Sequence, residues 1–253
     1  MTRPITRLLI LCGLVTLATT NLGRVCADVV SYQEGQSGYA GTQDTWIGSG
    51  ASMVDTAHGT EDAFVWDIAD SNPTNINISL LRFDSIVGVG AGQIPVGSEI
   101  QSATLSLTVF DAGSGVRVHR MLTSWSESDT WNTLVNGVST DDVDAVSSPD
   151  DQVGAQTNGT NIAVGLLVLD VTNSLKAWVG DSQAAVTNNG WVLHPLTPGG
   201  INGIGVRSSE FGTANVRPSL TVEFTPIPEP STFILTALGL LSLGVTRRRR
   251  QRA

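Results

Sequence analysis

The strongest constraint on the fold of this chain is a set of segments in which apolar residues recur at about every second position. Because successive side chains of a β-strand point to opposite faces, this alternation predicts strands with one buried and one solvated face. The alternating residues are, in chain order, Ile100, Ala103, Leu105, Leu107 and Val109, then Val116, Val118 and Leu122, then Ile162, Val164, Leu166 and Val168, and finally Leu220, Val222 and Phe224. We therefore predict an antiparallel strand in each of these segments.

Further apolar runs cover residues 63–68, 76–83, 190–193 and 204–206, which raises the number of predicted strands to at least eight. Segments rich in Gly, Asn, Asp and Ser separate the strands, as at residues 111–115. Many short strands divided by such turns are typical of a β-sandwich.

One segment follows a helical period instead. Val171, Leu175 and Trp178 recur at positions i, i+4 and i+7, and either Asp170 or Thr172 can serve as the N-cap. The sequence therefore predicts an all-β, sandwich-type domain with one short helix.

The N-terminal segment has the order of a secretory signal peptide. Two arginines precede an apolar run over residues 8–18, and Val25 and Ala27 occupy the −3 and −1 positions of a cleavage site after Ala27. The run is shorter than the roughly 20 residues of a membrane-spanning helix. A lipoprotein signal is a weaker alternative, because the residues before Cys26 match a lipobox poorly. We predict a signal peptide over residues 1–27, which contains both cysteines of the chain and leaves the exported part without a thiol.

The C-terminal segment combines a proline spacer over residues 225–231, an uncharged apolar stretch over residues 232–246 and a basic tail over residues 247–252. Prolines preclude regular secondary structure, the apolar stretch can enter a bilayer, and the arginines stay on its cytoplasmic side. This order predicts a transmembrane stop-transfer helix. The stretch is short for a permanent span and fits a transient membrane stage.

This C-terminal arrangement resembles the PEP-CTERM sorting signal of Gram-negative bacteria. The residues that carry the resemblance are Pro228, Glu229, Pro230, Arg247, Arg248, Arg249 and Arg250. The resemblance implies cleavage near Pro-Glu-Pro by an exosortase-type enzyme, a transient inner-membrane stage, and delivery to the outer surface or the extracellular matrix. An ordinary C-terminal membrane tail is the alternative.

Between these segments we predict one folded domain over residues 28–225, followed by a sorting segment over residues 226–253. Residues 28–230 carry six basic residues against all 23 acidic residues of the chain, a net charge of −17. A field of this sign repels phosphate backbones and argues against nucleic acid as a partner. It fits a solvated extracellular protein or one that collects divalent cations.

The sequence contains no recognisable catalytic motif. The three histidines lack metal-ligand spacing, no Gly-x-Ser-x-Gly elbow occurs, and the glycine-rich residues 88–92 lead to a predicted strand rather than a helix. Carboxylates are too numerous for the sequence alone to define a glycosidase pair. We predict no catalytic residue, with a polysaccharide lyase or hydrolase as a less favoured alternative.

Several segments together resemble the DNRLRE domain in their order and spacing between about residues 33 and 224. They are residues 80–84 (LLRFD), 94–107 (IPVGSEIQSATLSL), 125–131 (WSESDTW), 170–172 (DVT) with Trp178, 190–191 (GW), 208–210 (SSE) and 217–220 (RPSL). The resemblance implies a jelly-roll-like β-sandwich related to carbohydrate-binding modules, some of which bind acidic glycans such as alginate. It does not imply catalysis. A catalytic partner domain often accompanies such a module, and we expect none within these 253 residues.

Physical chemistry gives several of these motif residues structural roles first. A strand arginine such as Arg82 is expected to pair with a carboxylate, and Trp125 and Trp131 are expected to bury their large side chains in a core. Asp129 is expected to satisfy backbone groups of the turn between the two tryptophans.

Sugar binding requires an exposed aromatic face, on which the C–H face of a sugar stacks, and polar groups nearby for its hydroxyls. The aromatic candidates are Tyr39, Trp46 and Trp66, and the candidate polar partners for an acidic glycan are Arg117, His119 and Arg120. For a metal, calcium is the best hypothesis, because Glu34, Asp44 and the carbonyls of residues 35–41 are close in sequence.

The leading functional hypothesis is a non-catalytic surface or matrix protein that binds extracellular polysaccharide. A structural or adhesive protein that binds other proteins is the second.

Overall fold

The computed structural model describes residues 26–69, 72, 74–154, 162–196 and 202–227. The predicted signal peptide lies outside these residues except for its last two positions. The sorting segment beyond residue 227, with its Pro-Glu-Pro motif, predicted apolar helix and arginine cluster, also lies outside them.

The described residues form strands, one α-helix and one 3₁₀ helix. The strands are β1 (Asp28–Gln33), β2 (Thr42–Gly48), β3 (Ala63–Ile68), β4 (Ile76–Phe83), β5 (Glu99–Asp111), β6 (Val116–Arg120), β7 (Asp151–Val153), β8 (Gly165–Asp170), β9 (Trp191–Pro195), β10 (Ile204–Arg207) and β11 (Ser219–Thr225). The helices are α1 (Thr172–Val179) and η1 (Ala214–Val216). The prediction of an all-β fold with one short α-helix is confirmed.

The strands form one curled antiparallel sheet in the order β1-β11-β5-β10-β3-β4-β9-β6-β7, with β2 paired to β4 and β8 paired to β5. The sheet folds over at β3, where Trp66 pairs with Ile204 of β10 while Ile68 pairs with Ile76 of β4. Two layers result. Layer A contains β1, β11, β5, β8 and β10, and layer B contains β2, β4, β9, β6 and β7.

The main core lies between the two layers. Leu105 and Val222 of layer A are buried in the same cluster as Phe83 and Trp191 of layer B. Helix α1 adds Trp178, whose ring centroid lies 4.7 Å from that of Trp191. Each such side chain contributes roughly 1.5–3 kcal/mol by leaving water, so this cluster holds the layers together without disulfides.

Helix α1 has its predicted face buried, since Val171, Leu175 and Trp178 all pack in the main core. Its N-cap is Val171, which offers no side-chain acceptor, so the predicted N-cap position was wrong. The Asp170 carboxylate nevertheless accepts a hydrogen bond of 2.9 Å from the Thr172 N–H. The first turn of the helix is therefore stabilised by the residue before the cap.

Strand β5 shows why its predicted apolar pattern is irregular. The register against β11 shifts between Glu223 and Phe224, which pair with Ser102 and Ile100. Gln101 is therefore the extra residue of a β-bulge. This places Ile100 and Ala103 on one buried face although they are three residues apart.

Strand β8 presents the opposite face from the predicted one. Leu166 is 71% exposed, whereas Leu169 is 0% exposed. Residues 166–169 are all apolar, so the sequence pattern alone does not decide which alternate side chains face the core. The register decides it, because Leu167 and Leu169 lie opposite the inward-facing Leu107 and Leu105 of β5.

The prediction for Leu122 was also wrong. Strand β6 ends at Arg120, and Leu122 is exposed in the turn beyond it. Met121 is buried in its place.

A second, smaller core lies on the outer face of layer B. Leu80 and Val192 point away from the main core and pack against Trp125, Val138 and Ala145. These three residues belong to the chain between β6 and β7, here called the 121–150 excursion. An antiparallel sheet that is apolar on both faces needs a cover on each, and the excursion supplies the outer one. The predicted core position of Trp125 is confirmed, and Trp131 packs at the margin of this cluster.

The face assignment of β8 predicts different effects for two leucines of one strand. Leu169→Ala removes a buried side chain and is expected to lower the free energy of unfolding by about 2–5 kcal/mol. Leu166→Ala, the matched control, is expected to change it by about 0.5 kcal/mol or less. Urea unfolding of dilute protein measures both. An equal loss for the two variants, or a larger loss for Leu166→Ala, contradicts the assignment.

Candidate functional site

Arg82 of β4 joins three parts of the chain. Its Nε donates a hydrogen bond of 2.6 Å to Asp84 Oδ1, so the predicted pairing of Arg82 with a carboxylate is confirmed. Its Nη1 donates to the Trp125 carbonyl at 3.0 Å, and its Nη2 donates to Gln43 Oε1 of β2. The guanidinium also lies 5.0 Å from the centroid of the Trp125 ring. One side chain thus connects β2, β4 and the 121–150 excursion.

The Trp125-to-Trp131 turn beyond this contact is held by its own side chains. Asp129 Oδ2 accepts a hydrogen bond of 2.7 Å from the Ser126 N–H, and Thr133 Oγ1 donates to Asp129 Oδ1 at 3.1 Å. The predicted role of Asp129 in satisfying this turn is confirmed. The turn fixes the position of Glu127, which lies between Ser126 and Asp129.

A cleft of about 550 Å³ lies beside these contacts. Its walls come from the loop after β1, the start of β2, the end of β4, the 121–150 excursion, and the two loops that flank η1. The lining residues are Glu34, Gly38, Tyr39, Ala40, Gly41, Thr42, Gln43, Asp84, Ser85, Glu127, Ser209, Glu210 and Arg217. We call it the Tyr39 cleft.

Tyr39 is the aromatic residue among these lining residues. Its hydroxyl donates a hydrogen bond of 2.9 Å to the Asp84 carbonyl, and its ring centroid lies 5.3 Å from that of Tyr32. At Gly41 a β-carbon would come within 3.1 Å of both the Asp84 carbonyl and the Tyr39 ring, so a larger residue would require these groups to move apart slightly. The ring is half-buried and held in place, and it forms the apolar part of the cleft wall.

A buried carboxyl group lies behind the wall of the cleft. Asp44 is 1% exposed, and its Oδ2 accepts a hydrogen bond of 2.8 Å from the Ser209 N–H. The Asp44 N–H in turn donates to Glu127 Oε1 at 3.2 Å. Burial, and then the negative charge of Glu210, hold the pKa of Asp44 well above its ordinary value. Burial is also the main reason that the pKa of Glu127 is raised.

The charges that line the cleft favour an uncharged or cationic ligand. Four carboxylate side chains line it, those of Glu34, Asp84, Glu127 and Glu210, against one guanidinium, that of Arg217. Arg217 already donates to two backbone carbonyls, at 2.7 Å and 3.2 Å. A polyanionic glycan would therefore meet net repulsion here.

Of the two predicted calcium ligands, Glu34 lines this cleft and Asp44 is buried behind its wall, and both carboxylates accept hydrogen bonds from the backbone. Glu34 Oε2 accepts a hydrogen bond of 3.0 Å from the Thr42 N–H, and Asp44 accepts one from the Ser209 N–H. Within the part of the chain that the structure describes, no three or more His, Cys, Asp or Glu side chains are grouped to hold a metal ion. The geometry therefore gives the calcium hypothesis no support.

Trp46 and Trp66 are not placed to stack on a sugar. Trp46 is 8% exposed, and its ring lies parallel to that of His58 with the centroids 3.5 Å apart. Its Nε1 donates to Glu61 Oε2 at 2.9 Å. Trp66 is 1% exposed and belongs to the main core. The structure corrects both candidates, because neither ring has a free face.

The basic candidates are not brought together with Tyr39. They lie on β6, which is separated from β2 by β9 and β4. Arg117 Nε donates to Gln152 Oε1 at 3.0 Å, and Arg120 lines a different cleft with Leu122. His119 is buried, and burial lowers the pKa of its imidazole. The structure therefore does not assemble the predicted acidic-glycan site.

Sequence reasoning missed Gln43, Glu127, Glu210 and Arg217 as cleft residues. They lie far apart in the chain, and no local spacing connects them. One signal was present, because four of the segments that resemble the DNRLRE domain converge on this cleft. Residues 80–84 supply Asp84, residues 125–131 supply Glu127, residues 208–210 supply Glu210, and residues 217–220 supply Arg217.

Comparison with known proteins bears on the C-terminal segment. Residues 226–250 match the family model of the PEP-CTERM protein-sorting motif. No curated protein matches the chain. The motif indicates exosortase-dependent sorting of a secreted surface protein in bacteria. Among the residues that the structure describes, no helix has the length and apolar character to cross a membrane.

The raised pKa of Asp44 predicts a pH-dependent stability. A raised pKa in the folded state means that this residue favours folding below its unfolded pKa of about 3.9, and that the benefit is lost as pH rises through the folded pKa. Asp44→Asn keeps an oxygen acceptor for Ser209 without the charge. The melting temperature of Asp44→Asn relative to wild type is therefore expected to rise between pH 4 and pH 8.

Asp62→Asn, at an exposed position, is the control for this experiment. Thermal unfolding followed by circular dichroism measures all three proteins. A constant difference between Asp44→Asn and wild type across this pH range would show that the Asp44 carboxyl is not perturbed.

Proposed function

We propose that this protein is a non-catalytic, carbohydrate-binding surface or matrix protein, which holds its ligand in the Tyr39 cleft. One observation carries the proposal. Segments that resemble the DNRLRE domain, and that are distant in sequence, meet at a single cleft which also contains an aromatic ring. The resemblance to carbohydrate-binding modules supports the assignment to sugars.

The chemistry of the cleft favours a neutral polysaccharide. The carbons of the Tyr39 ring offer an apolar surface to the C–H face of a sugar. Glu127, Glu210 and the other carboxylates are strong acceptors for sugar hydroxyls, each of which has a proton to donate. The same carboxylates disfavour the uronate residues of an acidic glycan such as alginate. The preferred ligand therefore differs in charge from the acidic glycans that the family resemblance suggests.

Binding is favoured over catalysis because Asp44 is not placed to act as a general acid. Asp44 has the carboxyl with the most strongly perturbed pKa of the site, but it is buried behind the wall and bonded to the backbone. A general acid must reach the glycosidic oxygen directly or through one water molecule. A polysaccharide lyase or hydrolase remains the less favoured reading.

The sorting motif supports the proposed location. We place the mature domain on the outer surface or in the extracellular matrix of a Gram-negative bacterium, after a transient stage at the inner membrane. An exosortase-type enzyme is the processing partner, and an extracellular polysaccharide is the ligand.

A structural or adhesive matrix role is the second candidate function. An exposed aliphatic surface on β8 favours it, and this surface lies on layer A rather than at the cleft. The two roles are compatible, because they use different parts of the molecule.

The proposal predicts a specific effect of Tyr39. Residues 28–225 are tested for retention on a panel of neutral and acidic polysaccharides by affinity electrophoresis. Tyr39→Ala is expected to weaken retention about five- to thirtyfold, since it removes a stacking contact worth about 1–2 kcal/mol. Tyr39→Phe keeps the ring and loses only the hydroxyl, and it is expected to retain most of the binding.

The same mixtures are assayed for released oligosaccharides. Retention on a neutral glycan without products supports the proposal. Products that are absent with boiled protein would replace it with an enzyme, and failure to retain any polysaccharide would contradict it.

A further inference from the structure

The open edge of β8 is a surface that contributes neither to the core nor to the Tyr39 cleft. Strand β8 pairs with β5 on one side, and no strand of the described residues pairs with its other side. Leu166 and Val168 point outward from layer A and are at least half exposed, and Val164 just before the strand is exposed too. Natural edge strands are usually protected by charges, prolines or bulges. This edge has none of them between residues 162 and 169.

The backbone groups of Leu166 and Val168 also face the open edge. The Ala103 carbonyl accepts from the Val171 N–H at 2.9 Å, and the Ala103 N–H donates to Thr172 Oγ1 at 3.0 Å. Ala103 of β5 therefore directs its backbone N–H and C=O groups toward β8. Successive residues of a strand direct these groups to opposite edges, so Leu105 and Leu107 also direct theirs toward β8. Their partners are Leu169 and Leu167. The intervening Leu166 and Val168 must direct their N–H and C=O groups the other way.

Asp170 provides an independent check on this alternation. Asp170 is two residues from Val168 and four from Leu166, so its backbone groups face the same edge as theirs. Its N–H donates to the Asp151 carboxylate at 2.8 Å rather than to β5. This bond also occupies the last donor of the strand. The unpaired part of the edge is therefore centred on Leu167.

We propose that the β8 edge pairs with the β8 edge of a second copy of this chain. An antiparallel pairing about a two-fold axis at Leu167 places Leu166 opposite Val168 of the other copy, and Val168 opposite its Leu166. Both members of each pair carry edge-facing backbone groups, so each pair exchanges two hydrogen bonds. The same pairing places the aliphatic side chains next to each other on one face, where cross-strand pairs stabilise a sheet. The edge is thus complementary to itself.

Charge selects this edge as the place of contact. Residues 28–230 carry a net charge of −17, so two copies repel each other over most of their surface. Residues 162–169 carry no charge and allow close approach. Sorting to a surface concentrates the copies, and this favours even a small interface. The inference does not depend on carbohydrate binding, because β8 and the Tyr39 cleft lie on different strands.

The test compares full-length protein with two variants at exposed positions of layer A edges. Sedimentation velocity in density-matched mild detergent gives the protein mass over a range of concentrations. Leu166→Lys places like charges across the two-fold axis and is expected to weaken dimerisation by at least about tenfold. Val29→Lys, on the exposed face of the other edge strand β1, is the matched control and is expected to dimerise like wild type.

Val168→Pro tests the backbone pairing without any change of charge. Proline removes an edge-facing N–H that is not bonded within the layer, so the fold is expected to persist while the dimer weakens. Circular dichroism and the melting temperature of each variant verify folding. Added salt is expected to strengthen the wild-type dimer, because it screens the repulsion between acidic surfaces.

A wild-type protein that stays monomeric up to about 100 µM, above the micromolar range of weak contacts, overturns the proposal. So does an unchanged dimer in folded Leu166→Lys, or an equal loss in Val29→Lys, which would assign the association to another surface. A dimer that Tyr39→Ala leaves intact, but Leu166→Lys disrupts, separates this inference from the carbohydrate proposal.

Discussion

The arrangement of the candidate site depends on one side chain, the guanidinium of Arg82. It is largely shielded from water, so it must be paired, and its planar fork meets three acceptors in different parts of the chain. Gln43 fixes β2, Asp84 fixes the end of β4, and the Trp125 carbonyl fixes the 121–150 excursion. Gln43 and Asp84 line the Tyr39 cleft, and Glu127 follows Trp125 by two residues. Without this hub the cleft would lose the common support of its walls.

The need for such a hub follows from the unusual burial of layer B. In β4, Leu81 points into the main core, while its neighbour Leu80 points into the second core. A sheet that is apolar on both faces must be covered on both. Here the 121–150 excursion covers the outer face. The excursion contains no helix or strand, and its own turn hydrogen bonds, the packing of Trp125 and the contacts of Arg82 hold it together. The cleft forms where this cover meets the loops around η1. In layer A the β8 edge has no partner strand among the residues that the structure describes.

The buried face of a strand or helix could be predicted from sequence where apolar residues occupy one face only. It could not be predicted where both faces are apolar. The faces of β5 and α1 follow from single periodic patterns, although the bulge at Gln101 required the register. In β8 both parities are apolar, so only pairing with β5 identifies the buried face. The site shows the same limit. Tyr39 was predicted as a sugar-binding residue and Glu34 as a calcium ligand, and both line the cleft. The burial of Trp46 and Trp66 depends on which face of each strand the fold covers. Glu210 and Arg217 reach the cleft only through tertiary folding.

Native-state hydrogen exchange of Arg82→Lys tests the central role of this hub most directly. Lysine keeps the charge but cannot satisfy three acceptors in the geometry of a guanidinium. Amides of residues 121–150 and of β2 are predicted to exchange about tenfold or more faster than in wild type. The variant loses one or two hydrogen bonds to a charged group, so the free energy of local opening is lower. Amides of β5 and β11 are predicted to keep their protection. Unchanged exchange in the excursion, or an equal rise throughout the domain, would contradict the account.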